Sequence, residues 1–105
     1  MTTLTTYTPQ QIAEMLEQRA IVLVDVREEG EYAAEHIEGA ILCPLSAFDP
    51  SKLPDAGEKK IVFHCAHGMR SAKAVAKCLA SRLPHAAHME GGIKAWKSAG
   101  LPTVR

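Results

Sequence analysis

The run Ala20-Ile21-Val22-Leu23-Val24-Asp25-Val26 constrains this chain more than any other stretch, because it is near-continuous in apolar residues and rich in β-branched ones. A strand with one wet face alternates apolar and polar residues, whereas a strand apolar at both parities is covered on both faces, as in a parallel sheet flanked by helices. Ile61-Val62-Phe63 repeats the pattern on a smaller scale. Ala40 to Cys43 reads as a brief strand that Pro44 stops, and Ala86 to Met89 as a weak, short one.

Helical patterns lie between these strands. Thr8-Pro9-Gln10-Gln11 supplies a cap, a proline at the first helical position and a glutamine three residues after the cap. Ile12, Met15 and Leu16 follow at helical spacing, which predicts a first helix running to about Gln18. Glu28 to Glu35 is short and acidic at its start, as a helix N-terminus prefers. Ala72, Val75, Ala76, Leu79 and Leu83 predict a helix over Ser71 to Leu83, closed by Pro84. Gly91-Gly92 opens a last helix through Ile93, Trp96 and Lys97, which Gly100 and Pro102 end. Phe48 to Lys60, with Pro50, Pro54 and Gly57, reads as a connection holding at most a short helix. Alternation of strand and helix predicts the α/β class, a parallel sheet with helices on both faces. At 105 residues the expectation is one domain, 1–105.

Composition removes several function classes. Twelve basic and twelve acidic residues give a formal net charge of zero, so no bulk field draws the chain to nucleic acid or an anionic membrane. No apolar run approaches the roughly 18 residues of a membrane span, and Met1 to Thr6 carries neither the basic nor the apolar part of a signal peptide, so a cytoplasmic setting is expected. Cys43, Cys65 and Cys78 are odd in number and scattered, which favours reduced thiols over a disulfide framework. Cys65, His64 and His67 invite a metal reading, but their spacing matches no four-ligand zinc site, so neither metal nor cofactor is expected.

Cys65 carries the chemistry. It stands at the carboxyl end of a predicted strand, just before a predicted helix, where ligands bind in open α/β sheets. A loop closing onto a helix N-terminus turns several N–H groups inward as an anion cradle. Gly68 permits the tight turn, and Arg70 adds a positive charge expected to pull the thiol below its free value of about 8.5. The bland alternative is a small buried hydrophobe. That reading fits Cys78 on the helix flank, and also Cys43, which ends a strand at the same edge and could otherwise serve as a resolving thiol. Strand alternation points His64 away from the thiol, as a satisfied core histidine, while His67 in the loop either meets substrate or is merely exposed. Trp96 reads as core.

Three segments in order carry a family likeness: Asp25-Val26-Arg27-Glu28 with Glu31-Tyr32 and His36-Ile37-Glu38-Gly39-Ala40; Cys65-Ala66-His67-Gly68-Met69-Arg70-Ser71; and Gly91-Gly92-Ile93-Lys94-Ala95-Trp96 with Gly100-Leu101-Pro102. Over nearly its whole length the chain resembles the rhodanese sulfurtransferases in their single-domain form. The resemblance implies a five-stranded parallel sheet with helices on both sides. It implies Cys65 as nucleophile, with Ala66, His67, Gly68, Met69, Arg70 and Ser71 forming the substrate loop. Sulfur would pass from thiosulfate or a persulfide, small or protein-borne, through a Cys65 persulfide to cyanide or a thiol. Asp25 and Arg27 would be structural.

Loop length bears on the competing enzyme reading. Four residues separate Cys65 from Arg70, where cysteine phosphatases, including the rhodanese-like ones, place five. A tighter ring suits one sulfane sulfur better than the three oxygens of a phosphate, although His64 before the cysteine looks phosphatase-like. Phosphate-ester hydrolysis and arsenate reduction remain the alternatives, as does a sulfur-carrier or interaction module, though inactive modules of this family typically lack the loop cysteine. Glu35 stands where the family usually has glycine, and Leu42-Cys43 where it usually has an asparagine and an aliphatic residue. Within the loop Ala66 and Met69 are uncharged, which leaves Arg70 as the cation expected to meet a dianionic donor.

Overall fold

The computed structural model describes residues 4–85 and 87–105. Its elements in chain order are β1 (Thr5–Tyr7), α1 (Pro9–Glu17), β2 (Ile21–Asp25), α2 (Glu29–Ala34), β3 (Ile41–Leu42), β4 (Lys60–His64), α3 (Met69–Ala80), β5 (Ala87–Met89) and α4 (Gly92–Ser98). Two short 3-10 turns, Leu45–Ala47 and Pro50–Lys52, occupy the irregular stretch before β4. All five strands are parallel, in the order β1-β5-β4-β2-β3.

Alternation along the two central strands builds two cores. Ile21 and Leu23 of β2 and Val62 of β4 join Ile12 of α1, Ile93 and Trp96 of α4 and Met89 of β5 on one face. Val24, Ile61, Phe63 and Cys65 pack with Ala74, Val75 and Cys78 of α3 on the other. Both parities of β2 and β4 are therefore covered, which is why their sequences lack a polar face. Full burial of Phe63, Ile12 and Leu23 contributes about 1.5–3 kcal/mol each.

The expected starts and stops hold where local chemistry writes them. Thr8 caps α1, its hydroxyl accepting from Gln11 N–H at 3.2 Å while Gln11 Oε1 accepts from Thr8 N–H at 2.9 Å. The bounds of one helix need correction. Helix α3 spans Met69–Ala80, not Ser71 to Leu83, so Met69 and Arg70 lie in its first turn. Its end is a Schellman motif, with Leu83 N–H donating to Cys78 O at 2.9 Å and Arg82 N–H to Leu79 O at 3.0 Å, and Arg82 takes the left-handed position at φ 61. An arginine there hides the stop that a glycine would have announced. Strand β1 was not expected from its residues, because Thr5-Thr6-Tyr7 has no apolar run and forms by pairing with β5. The expected β5 began at Ala86, which lies outside the described residues, and the described strand begins at Ala87. Glu35, where the family usually has glycine, has an extended backbone at φ −169 that any residue adopts. Among the described residues no helix is long and apolar enough to cross a membrane.

Candidate active site

Strand β4 ends at His64 and α3 begins at Met69, so Cys65 to Gly68 make the turn at the carboxyl edge of the central strand. Gly68 caps the helix with φ 105, a backbone that glycine adopts readily, and its N–H donates to Cys65 Sγ at 3.0 Å. Cys65 is only 1% exposed. Burial pushes its thiol up, but the Ser71 hydroxyl and the N–H groups of Ser71, Gly68 and His67 outweigh that, and the net direction is down. Twelve residues of α3 add the positive end of their dipole at the same place.

A second element fixes the turn from behind. Ile93 N–H donates to Cys65 O at 2.8 Å and Lys94 N–H to Ala66 O at 3.2 Å, so the start of α4 holds the loop carbonyls outward. Gly92 permits this approach. A Cβ there would lie 2.3 Å from Cys65 O and 2.5 Å from Ala66 O, and its φ of +63 is itself unfavourable for other residues. The glycine pair read as a helix start is thus also a clamp on the cysteine loop.

Arg70 departs from expectation. Its guanidinium makes a two-point pair with Glu31 of α2, Nη1 to Oε1 at 2.7 Å and Nη2 to Oε2 at 3.0 Å. The Arg70 hydrogen bonds hold the Glu31 carboxyl down at about 2, against a smaller opposing effect of burial. A thiolate at Cys65 helps keep Arg70 protonated, but less than Glu31 does, and amides and the Ser71 hydroxyl dominate the lowering of the thiol. Sequence proximity gave Arg70 to the loop, and a carboxylate 39 positions away took its side chain.

His67 and Met69 are exposed, Met69 at 74%, while Ala66 is half-buried and Ser71 fully buried. A cavity of about 380 Å³ opens beside the loop, lined by Ala66, His67, Ile93, Lys94 and Lys97 among others. Lys97 pairs with Glu35 at 2.8 Å.

His64 is buried as expected but not satisfied. Its Nδ1 lies 3.4 Å from Cys65 O, and Nε2 has no hydrogen-bond partner among the described residues, with Asp25 Oδ2 at 3.5 Å. Burial lowers this imidazole, with Asp25 opposing, which favours the neutral ring. Asp25 is already engaged, accepting from Arg27 N, Nε and Nη2 at 2.8–3.1 Å, while Nη2 also donates to Glu35 O at 2.6 Å. Burial pushes the thiols of Cys43 and Cys78 up, Cys78 to about 11, which suits packing rather than reactivity. Among the described residues, no three His, Cys, Asp or Glu side chains are grouped to hold a metal ion.

Two partners of the site escaped the sequence reading. Glu31 looked like part of an acidic helix start, and His88 like one residue of a weak strand. Neither carries a local signal, because each meets the loop only across the fold.

The model of the rhodanese-like domain family matches residues 8–99. An uncharacterized protein of Synechocystis sp. is 42% identical over 100 residues, covering 95% of this chain and 56% of its own. A probable adenylyltransferase/sulfurtransferase, MoeZ of Mycobacterium tuberculosis, is 36% identical over 104 residues, covering 94% of this chain and 26% of its own. The chain thus spans about half of one of these curated relatives and about a quarter of the other. Among solved structures, a rhodanese-related protein from Thermoplasma volcanium is 32% identical with a TM-score of 0.79, covering 95% of this chain and 97% of that one. The all-parallel five-stranded sheet, the cysteine turn at its carboxyl edge and this match over most of the chain agree: the chain belongs to the rhodanese-like domain family.

Proposed function

We propose that this protein is a sulfurtransferase that carries a sulfane sulfur on Cys65. The observation that carries the reading is a thiol lowered by loop N–H groups and a hydroxyl, with the Gly68 N–H 3.0 Å from the sulfur. Such a cradle stabilises a sulfur anion without a metal.

In the first half-reaction the Cys65 thiolate forms a bond to the outer sulfur of the donor. The donor's own S–S bond breaks and its electron pair leaves on sulfite, where thiosulfate is the donor, or on a thiolate, where a persulfide is. The resulting persulfide anion rests in the same amides. An acceptor, cyanide or a thiolate, then attacks the terminal sulfur and returns Cys65 to the thiolate. Donor and acceptor balance the transfer between them with no outside oxidant or reductant, and a covalent intermediate of this kind gives ping-pong kinetics. Ala66, His67, Gly68, Met69 and Arg70 form the rim and first helical turn that a donor meets, with Ser71 buried beneath the thiol. Because Arg70 is occupied by Glu31, a dianionic donor finds no unpaired arginine at the loop, which favours a persulfide donor over thiosulfate.

Intact mass tests this. After exposure to glutathione persulfide the wild-type chain should gain one sulfur atom, released by cyanide or a thiol, while Cys65→Ser gains none; thiosulfate should load it less. No gain with either donor would discard the reading and make phosphate-ester hydrolysis the next assay.

A further inference from the structure

Behind the thiol, on the side away from the loop surface, a chain of polar atoms runs into the sheet. Cys65 Sγ lies 3.6 Å from Ser71 Oγ, and Ser71 Oγ lies 2.9 Å from His88 Nδ1. The far nitrogen, His88 Nε2, lies 3.4 Å from Thr6 Oγ1 on β1. Cys65, Ser71 and His88 are 1%, 0% and 8% exposed, so water competes little for the contacts among these three. A buried imidazole in line with a nucleophilic thiol has no packing reason to be there, since an apolar residue would fill the strand position without the desolvation cost.

We propose that His88 is a positioning residue that takes up the Cys65 proton through Ser71, so that thiolate and imidazolium form as one buried, net-neutral pair. The proton balance is complete within the chain. With Nε2–H donated to the Thr6 hydroxyl, Nδ1 is free to accept from Ser71 Oγ–H, and Ser71 Oγ accepts from the thiol. On ionisation the S–H proton passes to Ser71 Oγ as the Ser71 proton passes to Nδ1. Ser71 then donates to the thiolate and Nδ1–H donates to Ser71. The competing partner of the Ser71 hydroxyl is Gly68 O at 3.1 Å, longer than the contact to His88. While sulfur is bound the anion stays on the persulfide and the proton on His88, so no co-reactant is required.

The groups around the ring agree with this role. Among the described residues, Cys65 faces it through Ser71 from the end of β4, and Glu90, just past β5, raises its affinity for a proton. Strand β1 and helix α3 present the uncharged Thr6 and Ser71 hydroxyls. Burial otherwise holds His88 towards the neutral ring, the form that can accept. Arg70, in the first turn of α3, is bound to Glu31, so an imidazolium is the buried counter-charge the thiolate can recruit.

The inference rests on Cys65 being the nucleophile, but its test needs no sulfur donor. Iodoacetamide alkylation of Cys65 is followed against pH in wild type, His88→Gln and Ser71→Ala. Glutamine keeps a hydrogen-bonding side chain but cannot titrate. Each variant should raise the alkylation midpoint by about one pH unit, slowing the reaction about tenfold near neutrality, and the double variant should lose no more than either single one. In wild type, nitrogen NMR of the His88 ring should show it losing its proton when Cys65 is blocked at neutral pH, a readout that requires no variant to fold. Unchanged midpoints in His88→Gln, or ring signals blind to blocking of Cys65, would overturn the relay. Failure of sulfur uptake with the coupling intact would overturn the transfer reading alone.

Discussion

Two arginine–carboxylate pairs flank the carboxyl edge of this sheet, and they differ in almost everything but chemistry. Asp25–Arg27 is buried, with side chains 0% and 6% exposed; Arg27 N, Nε and Nη2 all donate to Asp25, and Nη2 also donates to Glu35 O. Glu31–Arg70 spans α2 and α3 with side chains 38% and 32% exposed. The first pair joins the end of β2 to the segment after α2 and leaves no charge to spare. The second is open to water and holds the Arg70 guanidinium on Glu31, in the first turn of the helix that follows Cys65. An ion pair beside a reactive centre can therefore be framework or governor, and burial decides which.

The largest expected effect is on the buried pair. Arg27→Ala should lower unfolding stability by about 3–5 kcal/mol, since Asp25 would remain buried and unmatched, whereas Arg70→Ala should cost under about 1 kcal/mol. Urea denaturation of both variants checks this, and similar losses would break the comparison. Next in size is Gly92→Ala, whose Cβ would meet Cys65 O at 2.3 Å. It should destabilise by about 1–3 kcal/mol and slow Cys65 alkylation by displacing the loop, and wild-type behaviour in both assays would remove the clamp.

A smaller effect tests the exposed pair through pH. Glu31 titrates at about 2 in the folded chain, below the roughly 4.3 of an unfolded glutamate. Its contribution is therefore fully present above about pH 4.3 and lost as pH falls through about 2. Solvent screening keeps it under about 1 kcal/mol. Glu31→Gln should flatten the stability profile across that window, and an unchanged slope would show that the pair does not hold in solution. The smallest effect is expected for Arg70→Ala on the thiol itself, a change in alkylation midpoint below about 0.5 pH unit, because amides and the Ser71 hydroxyl carry the lowering. A larger change would return Arg70 to the role its position in the sequence suggests.

Much of the architecture was legible in the residues because its determinants are local. Period and turn chemistry act within a few positions: the apolar run at β2 demanded cover on both faces, Thr8 and Gln11 wrote the start of α1, and Gly68 marked the turn that brings Cys65 to the sheet edge. Those features determined the parallel α/β class and the place of Cys65 at the carboxyl edge of the sheet. Tertiary structure decided what surrounds it. Strand β1 exists by pairing with β5, 82 positions on; Arg70 turns to Glu31, 39 positions back; and Ser71 meets His88, 17 positions ahead. No local period encodes such meetings, because they depend on how strands are ordered and which helix crosses which edge, and they place the polar groups around the Cys65 loop.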